Sequence, residues 1–332
     1  MIVCNRKDIT MEIMQEIQQP LLWGNKRYHT LNYEYRKLFG EKVFKVSLDG
    51  GFTCPNRDGR VATGGCIFCS ARGSGDYAGD RRLDLKQQFH QVRDQLHKKW
   101  PKAKYIGYFQ AFSNTYAPAE QLREMYDAIL EEEGVVGLSI ATRPDCLPDE
   151  VLDVLSEVNQ KTKLWVELGL QTIHEHTQVL INRGHDYQVF LDGVHKLRER
   201  KIDVVVHIIV NLPGETIEEM METARVVANL PIQGIKIHML HLLKKTPLIK
   251  LYQEGKLHFM DQETYTKLVV DMLEILPPEM VIHRLTGDGP RELLVEPLWT
   301  LKKWEVLNGI DQELEQRNTW QGKYYLKKKR SP

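Results

Sequence analysis

No run in this chain of 332 residues is apolar over enough length to cross a bilayer. The most apolar strand-like run, VVVHIIV at 204–210, falls far short of the roughly 20 residues that a membrane helix needs. The first residues, MIVCNRKDITMEIMQEIQQP, scatter charges among apolar side chains and do not read as a signal peptide. Net charge is missing too: 45 Lys and Arg balance 45 Asp and Glu, so no global field draws the protein onto nucleic acid. Cysteine is sparse, five in all, an odd number that excludes a secreted disulfide framework. These absences point to a cytoplasmic protein with no membrane partner, whose clustered cysteines serve metal ligation or redox chemistry.

What is present is the composition of a globular protein, 42% hydrophobic and 27% charged, without low-complexity tracts. Apolar strand-like runs at 43–48, 105–109, 135–140, 164–170, 204–210 and 234–240 alternate with amphipathic patterns starting near Leu83, Ala119, Asp149, Asp186 and Ile217. PAEQ (118–121), PDEV (148–151) and PGETIEE (213–219) carry Pro and acids where helices begin. Strand–helix alternation of this kind predicts βαβ units and a parallel sheet. Six units are too few for a closed eight-fold barrel and enough for an α/β partial (β/α)6 TIM-like barrel, with chemistry at the strands' carboxyl ends. The expected organisation is an aromatic and basic N-terminal segment (1–42), the barrel (43–246) and a small C-terminal α/β extension with a basic tail (247–332). In the extension the sequence predicts a helix near 261–276, a strand MVIHRL (280–285) and a Trp-containing helix near 298–308.

Cys54, Cys66 and Cys69 lie on a glycine-rich loop directly after the first expected strand, spaced C-x11-C-x2-C. A structural zinc site wants a fourth Cys or His nearby, and no second C-x-x-C exists. A catalytic zinc more often uses His, which the loop lacks. An iron–sulfur cluster held by three thiolates resolves the arithmetic, because cubane clusters usually take four cysteines and three leave one iron open to chemistry. Cys4 and Cys146 stand alone and read as ordinary thiols.

The aromatic Phe68 before the last cysteine, with TRPDC (142–146), ELGLQT (167–172), NRGHD (182–186) and NLPGET (211–216) at or after successive strands, resembles the radical S-adenosylmethionine superfamily. The wording is similar to the radical domain of the elongator catalytic subunit and to the coproporphyrinogen-dehydrogenase group. With WGNKRY (23–28), the long cysteine gap and HLLKKTPL (241–248), the chain most resembles the YtqA/YhcC-like branch. Two departures stand out: Ala141 replaces a glutamate before T-R-P-D, and QAFSNT (110–115) replaces an expected Gly-Gly-Thr.

The resemblance implies that Cys54, Cys66 and Cys69 ligate a [4Fe–4S] cluster whose open iron binds S-adenosylmethionine (SAM), and that a 5′-deoxyadenosyl radical results. It implies Gln171 at the ribose and Arg183 at the SAM carboxylate, a task suited to a guanidinium. Glu167 becomes a candidate for ribose or amino group against a plain strand-end salt bridge, and Arg183 contends with a helix-start surface charge. Gln110, Ser113 and Asn114 offer polar contacts to the methionine amine, and His207 is either a ribose contact or a core histidine. His238 and His241, if on a strand, point to opposite faces and make no metal pair. His283, Arg284 and Asp288 sit in a polar, glycine-bearing turn as candidate substrate contacts or as a self-capped turn.

By the same resemblance the substrate is tRNA, engaged at its anticodon loop. The reaction acts on the 5-carboxymethylaminomethyl side chain of wobble (2-thio)uridine to give the 5-aminomethyl form, with a flavodoxin or ferredoxin as electron donor. Nothing after residue 247 reads as an acetyltransferase domain. The interleaved aromatic and basic residues of 21–45 suit either an RNA surface or a segment packed on the barrel, and the last twelve residues hold five basic and no acidic side chains. A radical SAM enzyme for a small metabolite or porphyrin precursor and a non-catalytic zinc or iron–sulfur nucleic-acid-binding protein remain as alternatives.

Overall fold

Seven parallel strands, neighbours in chain order, form one sheet. A computed structural model describes residues 19–73, 75–98 and 100–325. Six strands fall where the apolar runs predict them: β1 Val43–Leu48, β2 Lys104–Phe109, β3 Val135–Thr142, β4 Lys163–Gln171, β5 Asp203–Val210 and β6 Gly234–Met239. The seventh, β8 Val281–Arg284, comes from the expected extension and pairs in parallel with β6. A short antiparallel pair, β7 Leu242–Leu243 with β9 Leu294–Glu296, stands apart from the sheet.

After α1 (Leu31–Phe39) come α2 (Leu85–His97), α3 (Ala119–Leu130), α4 (Asp149–Lys161), α5 (Glu175–Leu180), α6 (Tyr187–Glu199) and α7 (Ile217–Val227). Their starts are chemically marked. Asp84 with Gln87, and Thr216 with Glu219, form reciprocal capping boxes that satisfy backbone N–H groups left unpaired by the first turn. Asp186 accepts from the Val189 amide in the same way. The last helices are α8 (Leu248–Gln253), α9 (Gln262–Ile275) and α10 (Lys303–Gln316). The Trp-containing helix expected near 298–308 is instead a 3-10 turn over Leu298–Leu301 followed by α10, and the break falls at Lys302 (φ −101°, ψ 54°).

Alternation along each strand sorts side chains onto two faces. One set, including Val46, Leu48, Phe109, Ile140, Val166, Leu168, Val206 and Ile237, is buried in the main core beneath the helices. Each such side chain contributes about 1.5–3 kcal/mol on full burial. The other set stacks in tiers on the concave face. Val43, Ile106, Trp165 and Val205 form the lowest tier and are plugged by Tyr35 from α1. Two residues further on, Lys45, Tyr108, Ser139, Glu167, His207 and Lys236 meet around one carboxylate. Two further again, Ser47, Gln110, Ala141, Gly169, Ile209 and His238 border a cavity.

The N-terminal aromatic segment is therefore part of the barrel. Trp23, Tyr28 and Tyr35 are buried, Trp23 stacks on His29, Lys26 pairs with Asp311, and the His29 carbonyl accepts from the Ile282 amide of β8. Lys45 lies inside the barrel. Of the two expectations for residues 21–45, packing against the barrel holds for these side chains and an RNA-facing role does not. The basic run 327–330 and Cys4 lie outside the described residues. Among the described residues no helix is long and apolar enough to cross a membrane.

Candidate active site

The cysteine loop leaves β1 and returns over the carboxyl ends of the strands, where one cavity of about 470 Å³ is lined by Cys54, Cys66 and Cys69. The eleven residues between the first two cysteines are anchored. Asn56 donates its amide to the Asn182 carbonyl (2.6 Å), and Asn182 in turn donates to the carbonyls of Gly65 (2.8 Å) and Thr63 (3.3 Å). Gly184 makes this close approach feasible: its φ is +71°, and a Cβ there would stand 2.2 Å from Asn56 Oδ1. The gap thus folds onto the NRGHD segment. Arg57, not singled out by sequence, donates to the Ser70 carbonyl (2.6 Å) and lies over the Phe112 ring, fixing the loop after Cys69.

Arg183 is buried and not a surface charge at a helix start. Its Nη2 donates to the Gly169 carbonyl (2.6 Å), its Nη1 to Cys66 Sγ (3.7 Å), and its Nε has no partner. Asn56 also donates to Cys66 Sγ (3.7 Å). The Cys66 thiol is lowered to about 5, first by a hydrogen bond with Cys69 and then by the charge of Arg183, while burial opposes the shift. The same hydrogen bond, with burial, pushes the Cys69 thiol up, so it is the Arg183 cation that favours thiolate on this wall. Arg143, from the TRPDC motif, donates to the Arg183 carbonyl (2.8 Å) and to both Asp145 oxygens, so the motif braces its neighbour.

Gln171 ends β4 with φ +75° and lines the cavity. A Cβ on Gly169 would meet Arg183 Nη2 at 2.8 Å and Gln171 Nε2 at 2.9 Å, so both side chains fold over that glycine. Gln110 and Ser113 line the same cavity, as does Ala141. Asn114 instead uses its amide on the Ala141 carbonyl (2.7 Å), holding the QAFSNT segment across the end of β3.

Glu167 lies two residues deeper than Gly169. Its oxygens accept from Ser139 (2.6 Å), Tyr108 (2.9 Å), His207 (2.8 Å), Lys45 and Lys236. Burial disfavours its ionisation, but the charges of Lys236 and Lys45 and the His207 hydrogen bond outweigh that, holding the carboxyl well below its usual range. His207 is held in this cluster while facing the cavity, and burial pushes it down to about 4. Sequence reasoning missed Lys45 and Lys236.

The far wall corrects one expectation. His238 and His241 both line the cavity, because β6 ends at Met239 and strand alternation does not extend to residue 241. Arg284 and Asp288 line it also, whereas His283 turns against Gly234 and the edge of Trp165. Tyr77, from the cysteine loop, donates to the Gly289 carbonyl (2.9 Å) and ties the segment after β1 to the one after β8, across the open side of the barrel. Cys146 is buried, its thiol pushed up to about 12 by desolvation first. Among the described residues no three His, Cys, Asp or Glu side chains are gathered as a single-ion site. Three thiols on one cavity wall, one of them stabilised as thiolate, with an unpartnered guanidinium nitrogen beside it, fit a cluster and an anionic cofactor.

Residues 57–227 match the model of the radical SAM superfamily, and residues 232–316 match the radical SAM C-terminal domain. The chain is 59% identical over 313 residues to Bacillus subtilis YtqA, covering 94% of this chain and 97% of that one. It is 29% identical over 187 residues to a tRNA uridine(34) acetyltransferase of Dehalococcoides mccartyi, covering 55% of this chain and 39% of the relative. The fold is similar to that of Elp3 from Methanocaldococcus infernus, with a TM-score of 0.63 at 16% identity over 85% of this chain and 64% of that one. This chain belongs to the radical SAM superfamily, whose members use a [4Fe–4S] cluster and S-adenosylmethionine.

Proposed function

We propose that this chain is a radical SAM enzyme that modifies tRNA, acting on the 5-carboxymethylaminomethyl side chain of a wobble uridine, 2-thiolated or not, to leave the 5-aminomethyl form: one SAM, ending as methionine and 5′-deoxyadenosine, would oxidise the carboxymethyl carbon, and water would release it from the amine as glyoxylate. The observation that carries this reading is a single cavity with two chemically different sets of lining residues: the three thiols, and Lys236, His238, His241 and Arg284. A cofactor at the first and a polar side chain at the second would meet in about 470 Å³.

When bound, the cluster and SAM would supply one-electron cleavage of the cofactor and hydrogen abstraction from substrate, with a flavodoxin or ferredoxin as electron donor. In this reading Cys54, Cys66 and Cys69 hold the cluster. Arg183 offers its unpartnered Nε to the SAM carboxylate, Gln171 reaches the ribose, and Gln110 and Ser113 face the methionine amine. Glu167 and His207 act through the ionic network they form with Lys45 and Lys236, keeping the cavity floor rigid. The similarity to a tRNA uridine(34) acetyltransferase supports RNA as substrate.

The test compares tRNA nucleosides from wild-type and gene-deleted cells by mass spectrometry. The proposal expects 5-carboxymethylaminomethyl-uridines to accumulate at the wobble position and 5-aminomethyl products to disappear. Unchanged wobble uridines would overturn it in favour of a small-molecule substrate.

A further inference from the structure

The cavity around Lys236 and Arg284 holds more basic groups than carboxylates to pair them. Glu167 is the acceptor for both Lys45 and Lys236. Arg284 is the register partner of Lys236 on the adjacent parallel strand, β8 against β6. Like charges held opposite one another across neighbouring strands destabilise a sheet. The acid nearest Arg284 is Asp288, at 3.7 Å, and Asp288 is shared with Lys303 at 3.0 Å. Four basic groups therefore face two carboxylates. Burial comes first in lowering Lys236 well below the usual lysine range, with Lys45 and Arg284 adding to it against the pull of Glu167, so an arriving anion favours the charged form that burial disfavours.

A second observation concerns the wall beside these basic groups. His238 Nε2 and His241 Nε2 are buried without hydrogen-bond partners. Burial comes first in holding both rings neutral, and the nearby Arg284 charge adds to it. A neutral imidazole can present an N–H donor. The two strand-borne basic groups and the two unpartnered imidazoles line the same cavity as the cysteines.

We infer that Arg284 and Lys236, flanked by His238 and His241, form a subsite for an anionic oxygen group of the substrate, a carboxylate or a phosphate. This rests on the reading above that cofactor and substrate share the cavity. Arg284 gives the planar two-pronged contact, which is how such groups are bound, and the anion's charge favours the protonated form of Lys236 beside it. An arriving anion relieves the Lys236–Arg284 repulsion, so binding is favoured over that of an uncharged analogue. Discrimination then lies in charge more than in shape.

The experiment uses the cluster-loaded enzyme saturated with SAM, so that the site for the SAM carboxylate is already filled. Sodium acetate and inorganic phosphate are titrated against chloride at matched ionic strength, and the thermal midpoint is followed. A saturable rise with one anion beyond chloride is expected, and which anion acts decides between carboxylate and phosphate. Arg284→Gln should weaken that binding about tenfold or more, with Arg284→Lys in between. Arg284 is one-third exposed, so these variants should fold; His241→Gln provides a second, milder probe of the same wall. No anion-specific rise, or an equal rise in Arg284→Gln, would overturn the subsite. If the anion binds while wobble nucleosides are unchanged in deleted cells, the subsite stands and the tRNA reading fails; altered nucleosides with no anion response give the reverse.

Discussion

Asn56, within the gap between the first two cysteines, gives its side-chain amide to the backbone carbonyl of Asn182, 2.6 Å away and 126 positions along the chain. Asn182 returns two bonds to the gap, so the long insertion is stapled to the segment that carries Arg183. The lengthened loop thereby sets Cys66 beside Arg183.

Cutting that staple should cost cluster retention more than fold. Asn182→Ala leaves the Thr63 and Gly65 carbonyls without their donor, a local loss of about 1–3 kcal/mol. Iron per chain after anaerobic desalting should fall well below that of the wild type while the circular dichroism spectrum stays unchanged. Full iron retention would show that the staple is not what positions Cys66.

Gly169→Ala tests the cofactor side. The added methyl would stand 2.8 Å from Arg183 Nη2 and 2.9 Å from Gln171 Nε2, so both side chains must swing away. Equilibrium dialysis should show SAM binding at least about tenfold weaker, the equivalent of losing roughly one charge-assisted hydrogen bond. Unchanged SAM affinity would remove Arg183 and Gln171 from the cofactor site.

Glu167 should be far more costly to lose alone than with a partner. Glu167→Gln leaves Lys45 and Lys236 buried without their carboxylate, a change worth about 3–5 kcal/mol. Adding Lys236→Met should recover part of that loss, because it removes one of the stranded charges. Urea denaturation of both variants measures the coupling; strictly additive losses would contradict the ionic cluster.

Acid should destabilise the fold through histidines that the barrel keeps neutral. His207 and His241 are lowered to about 4, both first by burial, from the ordinary 6.5. The unfolded chain takes up these protons near pH 6.5 and the folded chain only near 4, so between those values the unfolded state binds more protons. Their contribution is complete above 6.5 and is lost as the pH falls to 4, at most about 3 kcal/mol for each. The depressed Glu167 adds to the loss only further down, below the ordinary carboxylate range. Urea midpoints from pH 7.5 to 4.5 should decline more shallowly in His207→Gln and His241→Gln than in the wild type.

Six strands and the helices between them were legible because apolar period and cap chemistry agree locally. VVVHIIV, for example, yields β5, and PGETIEE yields the start of α7. The cysteine loop was legible by spacing and position. The place of MVIHRL in the main sheet was not, since its pairing with β6 is set by long-range closure and no local pattern encodes it. Lys45 and Lys236 were missed because lysine reads as a surface residue. A usable signal was present: in VFKVSL and GIKIHM each lysine interrupts a short, mostly apolar strand run. Trp23 and Tyr28 look like an RNA surface in isolation, and only the tertiary fold shows them buried.

The central claim is that Cys54, Cys66 and Cys69 together hold a cluster that serves SAM. Anaerobically reconstituted protein, reduced with dithionite and mixed with SAM, is assayed for 5′-deoxyadenosine beside measurements of iron and acid-labile sulfide. The account predicts release by the wild type, and from Cys66→Ala a folded barrel that has lost cluster iron and releases none. Release that persists in Cys66→Ala, or a colourless wild-type protein holding a single zinc, would contradict it.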